Sequence, residues 1–159
     1  EKIVDICKAY DASLIINNRI DVALAVNADG IHLGNGSLPV NLARELLGQD
    51  KLIGVSTHSL SQAIKAEQDR ADFIVFGPVY FTPSKASYGK PQGLGRLEEI
   101  VKNVSLPVYA IGGIKSENIL DIKKTGIRGV ALISAVMNAE DPLATTREIL
   151  SLLSVTISG

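Results

Sequence analysis

The chain lacks a second cysteine. Cys7 stands alone, so no internal disulfide can staple the fold, and a reducing cytosol is the expected compartment. It also lacks charge of one sign: 16 Lys and Arg face 17 Asp and Glu, a formal net charge of −1. That balance leaves no electrostatic footprint for nucleic acid or for an anionic membrane surface. No apolar run reaches bilayer-spanning length, and no signal peptide is expected. The first residue is Glu1 rather than Met, and a further N-terminal segment is expected before it. What remains is ordinary globular composition, 46% hydrophobic and 21% charged, over 159 residues that predict a single domain with its own core.

A short apolar strand, a polar loop and an amphipathic helix alternate along the whole length. Glu1–Tyr10 has helical spacing, and Leu14–Ile16 is a continuous apolar run of the kind found in a parallel strand covered on both faces. Helical and strand segments then follow at Ile20–Asn27, Gly30–Leu33, Pro39–Leu47, Leu52–Val55, Leu60–Gln68 and Phe73–Phe76. After a long polar loop from Gly77 to Gly93 come Leu94–Val104, Val108–Ile111, Ser116–Lys124, Val130–Ile133 and Pro142–Leu153. Pro39 opens one helix and Gly48 stops it, while Ser59 is the cap of another. Strands alternating with helices predict a parallel sheet with right-handed crossovers. The six strand-like segments suit either a (β/α)₈ barrel with two βα units outside this chain or a complete doubly wound open sheet.

In either architecture the working residues sit where strands exit. Asn17-Asn18-Arg19 follows the first strand; it reads either as a solvated turn or as a set of ligand-binding amides. Ser37 either binds a ligand or caps the next helix. Ser56 ends the third strand and is a better functional candidate than His58, which has no carboxylate near it in sequence and reads as a helix-start or packing histidine. The fourth exit places Thr82, Ser84 and Lys85 within four residues. Two hydroxyls and an ammonium suit a pyrophosphate, since hydroxyls donate hydrogen bonds and lysine offsets charge on a leaving group. Gly112-Gly113 and Ile133-Ser134 close the series; glycine lets the backbone approach an anion, and loops after the last two strands share the phosphate site in phosphate-binding barrels. That pairing favours the barrel.

Three stretches together, LIINNRIDVALAVNADGIHLG, IGVSTHSLSQAIKAEQDRADFIVFGPVYFTPSK, and LPVYAIGGIKSENI with GVALISAV, resemble the thiamine phosphate synthase family, which also contains a thiazole tautomerase. The resemblance runs from about Leu14 to Val136. It implies a (β/α)₈ TIM barrel, its first two βα units absent from this chain, with residues 1–159 forming one N-terminally incomplete domain. It further implies a cytoplasmic transferase of thiamin biosynthesis. Such an enzyme joins a hydroxymethylpyrimidine diphosphate to a thiazole phosphate, releases pyrophosphate and uses Mg²⁺. By position, Asn17 would contact the pyrimidine diphosphate, and Ser56 and Lys85 the pyrophosphate, these two being the catalytic pair. Thr82 and Ser84 would meet the thiazole phosphate, with Gly113, Ile133 and Ser134 forming its cradle.

The family's metal-binding aspartates fall at Asn18 and Ser37, and a hard dication prefers anionic oxygens. A non-catalytic relative that binds thiazole phosphate or thiamin phosphate is therefore the alternative expectation. Tautomerase-type isomerisation is disfavoured because Pro78 stands where that branch has its catalytic histidine; only His58 would offer another base. Partners are expected to be phosphorylated small molecules, with no nucleic acid and no membrane. Homo-oligomerisation is expected as well, because six strands of a barrel leave two sheet edges bare.

Overall fold

The structure is a computed structural model that describes residues 2–83 and 90–155; Ser84 and Lys85 lie outside the described residues. The elements in chain order are α1 (Lys2–Ala9), β1 (Ile15–Asn17), α2 (Ile20–Ala25), β2 (Gly30–Leu33), α3 (Val40–Leu47), β3 (Leu52–Thr57), α4 (Leu60–Gln68) and β4 (Phe73–Phe76). They continue with α5 (Gly93–Asn103), β5 (Val108–Ile111), a 3₁₀ turn at Ser116–Asn118, α6 (Ile119–Lys124), β6 (Gly129–Ala131), α7 (Ser134–Met137) and α8 (Pro142–Ser154). Among the described residues no helix is long and apolar enough to cross a membrane.

Local chemistry sets the boundaries. The Ser59 hydroxyl accepts the Gln62 amide at 3.3 Å and starts α4. The Asp141 carboxylate accepts the Ala144 amide at 2.9 Å and Pro142 follows at the first helical position, starting α8. Gly48, at φ +76°, stops α3.

All six strands form one parallel sheet in the order β1-β2-β3-β4-β5-β6. A doubly wound sheet reverses its strand order at a switch point; this one never does. With every step in the same direction, and crossovers of the right hand that parallel units favour, the helices collect on one face and the sheet curls as a half-barrel.

The helix-facing side is the core. Ile31, Ile53, Ile74, Phe76 and Ala110 are fully buried there, against Ala43, Ala63, Leu97, Ile100, Ile119 and Ile122 from the helices. Burying each large side chain contributes about 1.5–3 kcal/mol. The opposite, concave side carries larger residues over glycine. Gly54 leaves room for the Phe73 ring, which would lie 2.1 Å from any Cβ placed there. Phe73 in turn meets His32 and, edge-on, Tyr109 at centroid distances of 6.1 and 5.7 Å.

Three strands differ from the sequence expectation, and one of them, β3, runs on past Val55 to Thr57 and takes Ser56 into the sheet. β1 lies one residue later than Leu14–Ile16, so Asn17 is its last strand residue, in register with His32. The last strand is Gly129–Ala131 instead of Val130–Ile133. Its ladder ends at the Ile111–Ala131 pair because β5 turns away at Gly112 (φ +97°). The freed chain winds into the short helix α7, which periodicity did not predict, and leaves Ile133 70% exposed.

Candidate functional site

Every strand-exit loop lies along the carboxyl rim of the sheet, and four groups of residues there carry chemistry. The first is built by the exits of β1 and β2. Asn18 adopts a left-handed backbone conformation (φ +60°) and its amide donates to the His32 carbonyl at 2.9 Å. The Gly34 amide donates to Asn18 Oδ1 at 3.0 Å and to Ser37 Oγ at 2.9 Å. The Ser37 hydroxyl donates to the same Asn18 Oδ1. Because two donors point at that atom, it is the carbonyl oxygen of the amide. Asn18 and Ser37, nineteen residues apart in the chain, are thus one bonded unit. Arg19 is not part of it: its guanidinium forks onto Asp21, which holds the Asp21 carboxyl down at about 2. Asn17 is exposed beside this unit.

The second group is a pair that the sequence reading missed. His32 Nε2 lies 2.8 Å from Ser56 Oγ. Strand alternation turns Thr57 into the fully buried helix-facing layer, so Ser56 stands on the concave face with His32. Burial pushes the His32 pKa down, which favours the neutral ring. Its signal was in the sequence: His32 sits in β2 and Ser56 in the neighbouring strand, at positions that alternate onto one face. A parallel register was needed to see it.

The third group joins the fourth and fifth exits. His58 Nδ1 donates to the Gly77 carbonyl at 2.5 Å, so His58 anchors the loop start, the packing role expected of it. The chain then runs along the end of β5: the Val79 amide reaches the Ile111 carbonyl at 2.9 Å and the Tyr80 amide the Gly112 carbonyl at 3.0 Å. Gly113, at φ +66°, lies so close that a Cβ there would come within 2.5 Å of the Phe81 carbonyl oxygen. Only glycine fits, and Thr82 is one residue further along. Asn118 supports the turn by donating from Nδ2 to the Gly113 carbonyl at 3.0 Å.

The fourth group is the exit of β6. Ser134 and Ala135 open α7 and line a cleft of about 280 Å³ together with Lys115, Ser116 and Glu117 from the β5 exit. The fifth and sixth exits therefore share one surface. Ile133 turns its side chain outward, so its main chain is the part available to a ligand.

A dication would be held at the first group by Asn18 Oδ1 and Ser37 Oγ. Both oxygens are neutral, and the Ser37 proton lies between them. Mg²⁺ takes carboxylates and near-ideal octahedral oxygens, and among the described residues no group of three His, Cys, Asp or Glu side chains could hold a metal. The residues present do not fit a protein-held Mg²⁺.

Comparison with known proteins bears on the whole rim. The family model described as "Thiamine monophosphate synthase" matches residues 1–136. A Geobacter sulfurreducens relative is 51% identical over 144 residues, 91% of this chain and 68% of its own length. The thiamine-phosphate synthase of Chloroflexus aurantiacus is 45% identical over 152 residues, covering 96% of this chain and 70% of that protein. Among solved structures, a thiamine phosphate pyrophosphorylase from Pyrococcus furiosus superposes with a TM-score of 0.86 at 41% identity, covering 94% of this chain and 71% of that one.

Proposed function

Because the chain belongs to the thiamine monophosphate synthase family, we propose that it is a transferase joining a hydroxymethylpyrimidine diphosphate to a thiazole phosphate with release of pyrophosphate. In that reaction the pyrimidine C–O bond ionises, the pyrophosphate carries away the electron pair, and the thiazole nitrogen attacks the resulting cation. The protein's task is to stabilise the departing anion and to hold the partners in line.

Ser56 donates its hydroxyl proton to the diphosphate, with Asn17 beside it on the pyrimidine side. Thr82, Gly113 and the main chain at Ile133 and Ser134 receive the thiazole phosphate. Ser84 and Lys85, outside the described residues, are assigned the thiazole phosphate and the pyrophosphate. The observation that carries the proposal is the packing of the Val79–Phe81 segment on Gly112-Gly113. It holds a hydroxyl-bearing loop against the Gly112-Gly113 turn, whose missing side chains let the two exits pack together. An assay of pyrophosphate release from the two substrates tests it; release no faster than in a protein-free control rejects it.

The fold we propose for the intact enzyme is a full (β/α)₈ barrel, to which this chain contributes six consecutive units as one domain. The unreversed strand order supports it, as does coverage of 71% of the P. furiosus structure. A cytoplasmic location and self-association of the chain complete the proposal. A second reading is a non-catalytic relative that binds the thiazole phosphate alone, favoured by the Asn18–Ser37 bond in place of metal ligands. An isomerase using His58 gains no support, since that ring is engaged with the Gly77 carbonyl.

A further inference from the structure

We propose that the corner formed by Asn18, Gly34 and Ser37 takes a phosphoryl oxygen directly, as a hydrogen-bond donor site, and holds no Mg²⁺. The inference deepens the phosphate-binding reading above and rests on it.

Counting donors and acceptors leads there. Asn18 Oδ1 receives protons from the Gly34 amide and from the Ser37 hydroxyl, which uses both of its lone pairs. Ser37 Oγ gives its only proton to Asn18 and receives the Gly34 amide. Asn18 Oδ1 keeps no lone pair for a cation, and Ser37 Oγ keeps one, a single neutral oxygen where Mg²⁺ takes an octahedral oxygen set with carboxylates among it. What the corner does present is the Asn18 amide nitrogen: Nδ2 has two protons, no partner among the described residues, and an exposed position. Its direction is fixed, because the oxygen end of the same amide is pinned twice and the left-handed backbone is tied to the His32 carbonyl. The nearby carboxylates cannot restore a cation site. Asp21 is clamped by Arg19, and Asp29 accepts the Leu14 amide at the opposite rim. A position that would hold a dication with carboxylates has become one that offers N–H to an anion.

The test uses inorganic pyrophosphate and Mn²⁺ as probes. Calorimetry with pyrophosphate in EDTA is expected to give an affinity within about threefold of that measured with excess Mg²⁺. Mn²⁺ alone, followed by the electron paramagnetic resonance signal of the free ion, is expected to remain unbound. The Asn18→Asp/Ser37→Asp variant should bind Mn²⁺ and should lose about tenfold or more of its pyrophosphate affinity in EDTA. If circular dichroism shows that this variant does not fold, Ser37→Asp alone and the Mn²⁺ titration of the unaltered chain decide. The inference is overturned if the unaltered chain binds Mn²⁺ by itself, if pyrophosphate affinity in EDTA falls more than about tenfold below that with Mg²⁺, or if pyrophosphate binds under neither condition. Turnover separates the two claims. Pyrophosphate release from the paired substrates alongside metal-dependent binding sinks the donor corner and keeps the transferase. Metal-free binding without turnover does the reverse.

Discussion

At the amino rim of the sheet, formal charges are spent on closing the fold; at the carboxyl rim, neutral amides and hydroxyls are left facing outward. The Arg44 guanidinium, nearly buried, reaches the Gly48, Lys51 and Arg70 carbonyls and the Asp72 carboxylate. Asp72 also accepts the Ile53 amide at 2.6 Å, and Lys51 ties down Asn27 and the Ala28 carbonyl at 2.7 Å each. These bonds stitch together the turns that enter successive strands. The opposite rim has Asn18, Ser37, Ser56 and His32, joined to one another by hydrogen bonds but carrying no full charge at neutral pH. A charged group fixed by several backbone partners contributes order, whereas neutral donors can meet an anion at little desolvation cost. The two rims should therefore respond differently to substitution.

The largest effect is expected from Arg44→Leu, which strands a carboxylate and three carbonyls. Urea denaturation should show a loss of about 3 kcal/mol, the low end for breaking a buried ion pair because water still reaches Asp72. Any ligand that the folded protein binds should still bind. Gly113→Ala should cost about 2 kcal/mol through its left-handed backbone and the clash with Phe81. Unlike Arg44→Leu, it should also abolish binding of the thiazole phosphate; unchanged binding would detach that turn from the site. Ser56→Ala inverts the pattern, leaving the urea midpoint nearly unchanged while weakening pyrophosphate binding by about tenfold. A stability loss as large as that of Arg44→Leu would erase the distinction between the rims.

The smallest effect is one of pH. His32 has its pKa below the ordinary 6.5 through burial, so the unfolded chain binds the proton first. Stability from this group is complete above 6.5 and declines as the pH falls toward the lowered folded value. A histidine ring-proton NMR titration should place the His32 midpoint below 6.5, and a midpoint above it would contradict the burial.

The architecture was readable from alternation of apolar runs and amphipathic segments, and all six strands fall within two residues of their expected ends. Choosing between barrel and doubly wound sheet needed the strand order, which no local pattern encodes. β6 was misjudged for a similar reason. Its apolar run continues through Leu132 and Ile133, but a strand ends where its neighbour stops pairing, and β5 turns at Gly112. At the site, Ser56 and Gly113 could be placed because strand exits are predictable in position. The contact between Asn18 and Ser37, and that between His32 and Ser56, depend on adjacent strands lying in a particular register. Of the two readings open for Ser37, ligand binding and helix capping, the structure removes capping: its hydrogen bonds hold the β2 exit loop, and no side chain caps α3. Thr82, Ile133 and Ser134 remain assigned by position along the rim.

β1 and β6, the outermost strands, are only three residues long each. A neighbouring molecule approaching either margin would find a mere handful of backbone amides and carbonyls to pair with, too few to zip two sheets together. Any self-association of this chain must then draw on side chains, and exposed apolar ones among the described residues include Ile3 and Ile6 on α1, Tyr10 just after it, and Leu143 and Leu150 on α8.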